Sequence, residues 1–211
     1  KADSDEKETP KTTIYYVTDE IQQSQYINMF REQKMNAVVL KDNIDNPFIS
    51  HLEAKNEKVK FQRIDAQVTE DFVEEMSEEE IKEKKDALTE IFKKALGKEN
   101  LDVRVEKMKN EKIASMITMS EETRRMQDMM KMYAMNGMGA MGDFGGETLV
   151  LNVANPLVQY VESHKDGDKT DLFCKQLYDL AMISHKPLEP EEMTEFVMRS
   201  NEIMELLAKE K

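Results

Sequence analysis

Tryptophan is absent from this chain, and cysteine occurs once, as Cys174. A single thiol excludes an internal disulfide and fits a reducing cytoplasm. No run of about 18 apolar residues occurs, so no membrane-crossing helix is expected, and the first residues do not read as a signal peptide. Basic charge is in deficit: Lys and Arg number 30 against 43 Asp and Glu, a net charge of -13. That balance argues against nucleic acid or an anionic membrane as the main partner. Glycine is scarce and clustered, with five of the seven between Gly137 and Gly146. The chain opens on Lys1 rather than Met and is read as a piece of a longer protein. What is there is 211 residues, 35% of them charged. That length suffices for one or two domains and the composition for a soluble, helix-rich chain.

Methionine is the residue in excess. Seven of the 17 fall between Met126 and Met141. A helix is expected from Ser120, which can cap it, through Glu121 and Glu122 in the first turn, to Gly137. Met126, Met129, Met130 and Tyr133 recur on one face, while Arg124, Arg125, Asp128 and Lys131 leave the rest polar. A Met stripe at this spacing is most often buried core. Here Met132 and Met135 lie off the stripe, and the Gly-Met stretch 137–146 has no period. The excess of soft, polarizable side chains points to an adaptable binding surface.

Taken in order, residues 1–11 are a charged lead expected to be disordered. Residues 12–66 read β-α-β-α-β: a strand at Thr13–Val17, a helix through Ile21, Tyr26, Ile27 and Phe30, a strand at Ala37–Leu40, a helix opening at Asn46-Pro47, and a strand at Val59–Ile64. A small parallel sheet is the expected product. Composition shifts at Gln67, and residues 67–76 read as an acidic linker. Residues 77–211 form a second, mixed domain. Ser77 and Glu80 make a capping box, and Gly97 stops the helix they open. A three-stranded sheet is expected from Leu101–Val105, its partner Ile113–Ile117, and Thr148–Val153. Asn155-Pro156 opens another helix. Two helices close the chain. One carries Phe173, Leu177, Leu180, Ala181 and Ser184 on a face; the other carries Met193, Phe196, Val197, Ser200, Met204 and Leu207. An αα-hairpin cannot wrap its own apolar seam, so either the preceding strands cover it or a second copy does, as an isologous four-helix bundle.

Chemistry is sparse. Gly137-x-Gly139-x-x-Gly142 spells a dinucleotide fingerprint, but a helix precedes it and a strand follows, the reverse of what a pyrophosphate site needs. His51, His164 and His185 are far apart, and Cys174 has no ligand-spaced neighbour, so no metal is expected. Ser184-His185 lacks a nucleophile elbow. No catalytic residue is assigned.

The strings YYVTDEIQQSQYINMF, NIDNPFISHLEAKNE and KFQRIDA together resemble the ninety-kilodalton heat-shock chaperone family in its bacterial form, and the resemblance runs from Thr12 to Leu207. It implies that residues 12–66 end a middle domain and that residues 77–211 are the C-terminal dimerisation domain. The ATPase domain, with its ATP and Mg, would lie upstream, leaving this piece without a cofactor and without enzymatic activity. The closing hairpin would form the homodimer. Met129, Met132 and Tyr133, with Met126 and Met130 beside them, match a helix that contacts non-native clients. Asn46, Pro47 and Phe48 match a second client contact, although some members carry an acidic residue and Trp at 46 and 47. Lys34 and Lys58 stand where close relatives often have Gly. The ending Ala208–Lys211 lacks the acidic tail that docks tetratricopeptide co-chaperones. The alternative is a Met-rich signal-peptide and RNA-binding module, which the negative charge disfavours.

Overall fold

The computed structural model describes residues 12–42, 44–135, 145–165 and 167–209, the side chains of 131–135 and 168 excepted. The chain divides into two compact units, the first ending at Ala66 and the second running from Gln67.

The first unit is built on β1 (Thr12–Val17), α1 (Ser24–Glu32), β2 (Val38–Val39), α2 (Asp45–Lys55) and β3 (Val59–Arg63). The sheet order is β2-β1-β3 and both pairings are parallel, as the alternation of strand and helix requires. β1 is central, so its Tyr16 is wholly buried and packs with Ile49 of α2 and Phe61 of β3. α2 begins at Asp45, slightly ahead of the expected Asn46-Pro47 start. Pro47 therefore sits inside the first turn, where its missing N–H costs nothing. The sequence pattern offers Thr18 and Asp19 as the cap of this first helix; Asp19 Oδ1 accepts from Ile21 N (2.9 Å) and Gln22 N (3.0 Å), but the helix proper opens only at Ser24.

The second unit carries β4 (Val73–Glu74), α3 (Glu78–Leu96), β5 (Asp102–Met108), β6 (Ser115–Met119), α4 (Glu121–Met135), β7 (Glu147–Asn152), α5 (Pro156–Ser163), α6 (Asp168–Ile183) and α7 (Pro190–Lys209). Its sheet has four strands in the order β4-β5-β7-β6, not the expected three. The extra strand comes from the acidic stretch expected to be a linker. Val68 and Phe72 bury there, a short 3-10 turn forms at Glu70–Phe72, and Val73 and Glu74 pair with Met108 and Lys107. β6 does not pair with β5 either. β7 inserts between them, parallel to β5 and antiparallel to β6. Buried on both sides, β7 reads ETLVLN, with Leu149, Val150 and Leu151 fully enclosed.

Helices α3, α5 and α6 supply the rest of the core. Leu88, Ile91, Phe92 and Ala95 of α3, Val158 and Val161 of α5, and Cys174, Leu177, Tyr178, Ala181 and Met182 of α6 form one cluster with the strands. The local signals sit where the sequence puts them. Ser77 and Glu80 close a reciprocal capping box, and Gly97 ends α3 at φ 65. Asn155 accepts from Leu157 N, with Pro156 in the first turn of α5. Asn152 is a buried hub. Its Oδ1 accepts from Met108 N and Ala154 N (both 3.0 Å), and its Nδ2 donates to the carbonyls of Asn110 (3.1 Å) and Ile113 (2.7 Å). All four amide positions are used, which stitches β5, the β5–β6 loop and β7 together.

Candidate functional site

α4 is held by its charges and exposes its apolar side. Ser120 Oγ accepts from Thr123 N at 3.1 Å, which caps the helix. Arg124, expected on the polar surface, is instead buried at 3% exposure, beside Glu121 at 9%. Its Nη2 donates to Glu121 Oε1 (2.6 Å) and its Nη1 to Asp128 Oδ2 (2.5 Å), while Arg125 Nε reaches the same Glu121 oxygen (2.8 Å). A guanidinium this buried persists only with its donors satisfied, and the two carboxylates do that. Met126 and Met129 meanwhile are 42% and 54% exposed, and Met130 is half-buried. The helix is thus inverted relative to an ordinary surface helix. The side chains of Met132 and Tyr133, and residues 137–144, lie outside the described residues.

The start of β7 fixes the other flank of α4. Gln127 Nε2 donates to the Gly145 carbonyl at 3.1 Å. Gly146 lies so close that a Cβ there would meet Thr123 Cγ2 at 2.5 Å, and its φ is 90. Only glycine satisfies both conditions.

The closing hairpin divides its residues between two tasks. Leu177 and Ala181, expected at a dimer interface, belong to the unit's own core at 2% and 0% exposure, because α6 packs on β6 and α3. Cys174 lies among them, and burial pushes its thiol up from 9.0 to about 12, with Asp171 adding to the shift. Phe173 is half-buried, edge-on to Tyr160 at 5.1 Å. A polar latch joins α6 to α7. Arg199 pairs with Asp179 and donates from Nε to Gln176 Oε1 (3.0 Å), and Gln176 Nε2 donates to Ser200 Oγ (3.0 Å). Burial holds Asp179 above the usual carboxylate range even though Arg199 pulls the other way. Ser200 and Phe196 are therefore partly enclosed within the hairpin. Met193, Val197, Met204 and Leu207 of α7 and Leu180 of α6 remain exposed. On α7 the exposed 193, 197, 204 and 207, with the half-buried Ser200, alternate four and three residues apart, a helical seam repeat.

In the first unit, Pro47 and Phe48 are exposed on the first turn of α2, beside Ile44. Among the described residues no cluster of three or more His, Cys, Asp or Glu is placed to hold a metal, and no helix is long and apolar enough to cross a membrane. What these surfaces offer chemically is apolar contact. Sequence reasoning did not single out Arg124, Arg199, Asn152 or Gly146. The first two look like solvated helix charges until their packing is known.

The second unit thus leaves apolar side chains of α4 and α7 exposed, and comparison with known proteins gives its kin. A family model described as Hsp90 protein matches residues 4–210, so the chain belongs to the Hsp90 protein family. It is 31% identical over 159 residues to the chaperone protein HtpG of Bacteroides thetaiotaomicron, covering 72% of this chain and 23% of that one. Similar matches are the HtpG of Bacteroides fragilis (31% over 166 residues, 75% and 24%) and of Porphyromonas gingivalis (28% over 155 residues, 70% and 22%). The chain spans about a quarter of the length of these curated relatives.

Proposed function

We propose that this chain is the dimerising and client-holding part of a bacterial, cytoplasmic Hsp90-family chaperone. The observation that carries the reading is that the second unit completes its core and still leaves two apolar helix faces uncovered. The α7 seam, with Leu180 of α6, would pair with its copy. Enclosing those side chains from two protomers contributes several kcal/mol before association costs. The Met126–Met129 side of α4, continued by Met130, Met132 and Tyr133, would hold non-native proteins. Flexible thioethers repack against unlike partners, so affinity for any one client is modest and the range is broad. Pro47 and Phe48 of the first unit would supply a second contact. The reading assigns no catalytic step and no cofactor to these residues; an ATP cycle would belong to residues upstream.

The test is the suppression of aggregation of a thermally unfolding client protein. Met129→Glu is expected to reduce holding several-fold while leaving the solution mass unchanged. Equal holding by the variant and the parent would remove α4 from the client surface. The signal-peptide and RNA reading is disfavoured by the net charge of -13, which supplies no basic surface for phosphates.

A further inference from the structure

The first unit contains a cavity that the chaperone reading does not use. It measures ≈ 440 Å³ and lies between α1 and β2. Its floor is apolar: Val17 at the end of β1, Ile27 and Phe30 of α1, Met35, Val39 and Ile64. Val17, Phe30 and Ile64 are almost wholly buried, so the floor is fixed by the core. The volume is in the range of small-molecule sites.

The rim is cationic. Arg31 and Lys34 line it, and among the described residues neither forms an ion pair. Arg31 donates only to Asn28 Oδ1, at 3.2 Å. The one carboxylate of the rim, Glu20, pairs with Lys41 at 2.5 Å. Lys34 is the stronger clue. It is the only non-glycine with positive φ among the described residues, at 57. It occupies the turn that ends α1, where Lys34 N donates to the Arg31 carbonyl (3.1 Å) and Met35 N to the Phe30 carbonyl (2.9 Å). Glycine serves that position without strain. A lysine held there accepts strain, and it lines the cavity beside Arg31.

We infer that this cavity is a binding site for a small amphipathic anion, with an apolar body on the Val17–Phe30–Ile64 floor and a phosphate or carboxylate between Arg31 and Lys34.

The probe is 1-naphthyl phosphate, titrated into the full chain and followed by backbone NMR, with 1-naphthol as the uncharged control. Saturable shifts are expected at Val17, Phe30, Lys34, Met35 and Val39, with naphthol binding at least ~10-fold more weakly, since a charge-assisted hydrogen bond is lost. Lys34→Gly is the discriminating variant. It relieves strain, so its melting temperature should rise, while its affinity for the phosphate falls by a similar factor. Arg31→Gln should weaken binding without that gain. Absence of saturation at millimolar probe would overturn the site. So would equal binding of naphthol and its phosphate, or of the parent and both variants.

Discussion

At the scale of single residues, three positions carry more than their type suggests. Asn152 spends both amide hydrogens and both lone pairs inside the core. Asn152→Asp replaces two donors by acceptors facing two carbonyls, and should cost ~3 kcal/mol or more in urea unfolding. A loss under 1 kcal/mol, on the order of one exposed hydrogen bond, would mean water reaches the site. Gly146→Ala meets Thr123 at 2.5 Å and needs a left-handed backbone, so α4 or the start of β7 must shift. The expected result is a lower melting temperature that Thr123→Ser restores only in part, because it removes the clash but not the backbone strain. Cys174, wholly buried, titrates near 12 instead of 9.0. The folded state thus holds its proton more tightly than the unfolded state. The resulting stability is fully present below pH 9.0 and is lost as the pH rises toward 12, by at most about 1.4 kcal/mol per pH unit. In the native protein the thiol should stay silent to thiolate reagents at pH 8 and react only after denaturation; native reactivity would contradict its burial. The roles of Asn152 and Gly146 are not visible in sequence, since Asn and Gly look alike whether a fold closes around them or not; Cys174 lies on the apolar side of its helical pattern, so its place in the core was legible.

At the scale of elements, local rules were legible wherever one residue type settles a backbone. The Ser77 box, the Gly97 stop and the Asn155-Pro156 start all fall in place, as does the parallel sheet that β-α-β-α-β order implies. Pairings set by distant contacts were not legible. β4 is two residues long, too short for any period, and the acidic residues around Val68 and Phe72 hide its anchors. β7 between β5 and β6 is a decision of the whole sheet. The α4 helix shows the same limit in charges: helical spacing found its Met face but assigned Arg124 to water. Arg124→Leu tests the inversion. It leaves Glu121 buried without its main partner and should cost ~3 kcal/mol, read as lost hydrogen-exchange protection along α4. Unchanged protection would show that the ion network does not seat the helix.

At the scale of the whole molecule, the hairpin decides what the chain can do. α6 is both core and edge. Leu177 and Ala181 close the second unit, so shortening the chain ahead of α6 would unfold it instead of merely separating two copies. α7 buries only Arg199 among its side chains and exposes Met193, Val197, Met204 and Leu207. Helical spacing in the sequence found that face; it could not tell which helix of the hairpin keeps its side chains for itself. The Arg199–Asp179 latch ties α7 to its own unit, where Ile203 and Leu206 also face Leu172 and Phe173, while Met193, Val197 and Met204 stay exposed. The most direct test is the solution mass by light scattering, on this chain and on the double variant Val197→Glu, Met204→Glu, with circular dichroism to verify the fold. The account expects a dimer for the parent and a folded monomer for the variant. A parent that is monomeric at tens of micromolar, or a variant that still pairs, would contradict it.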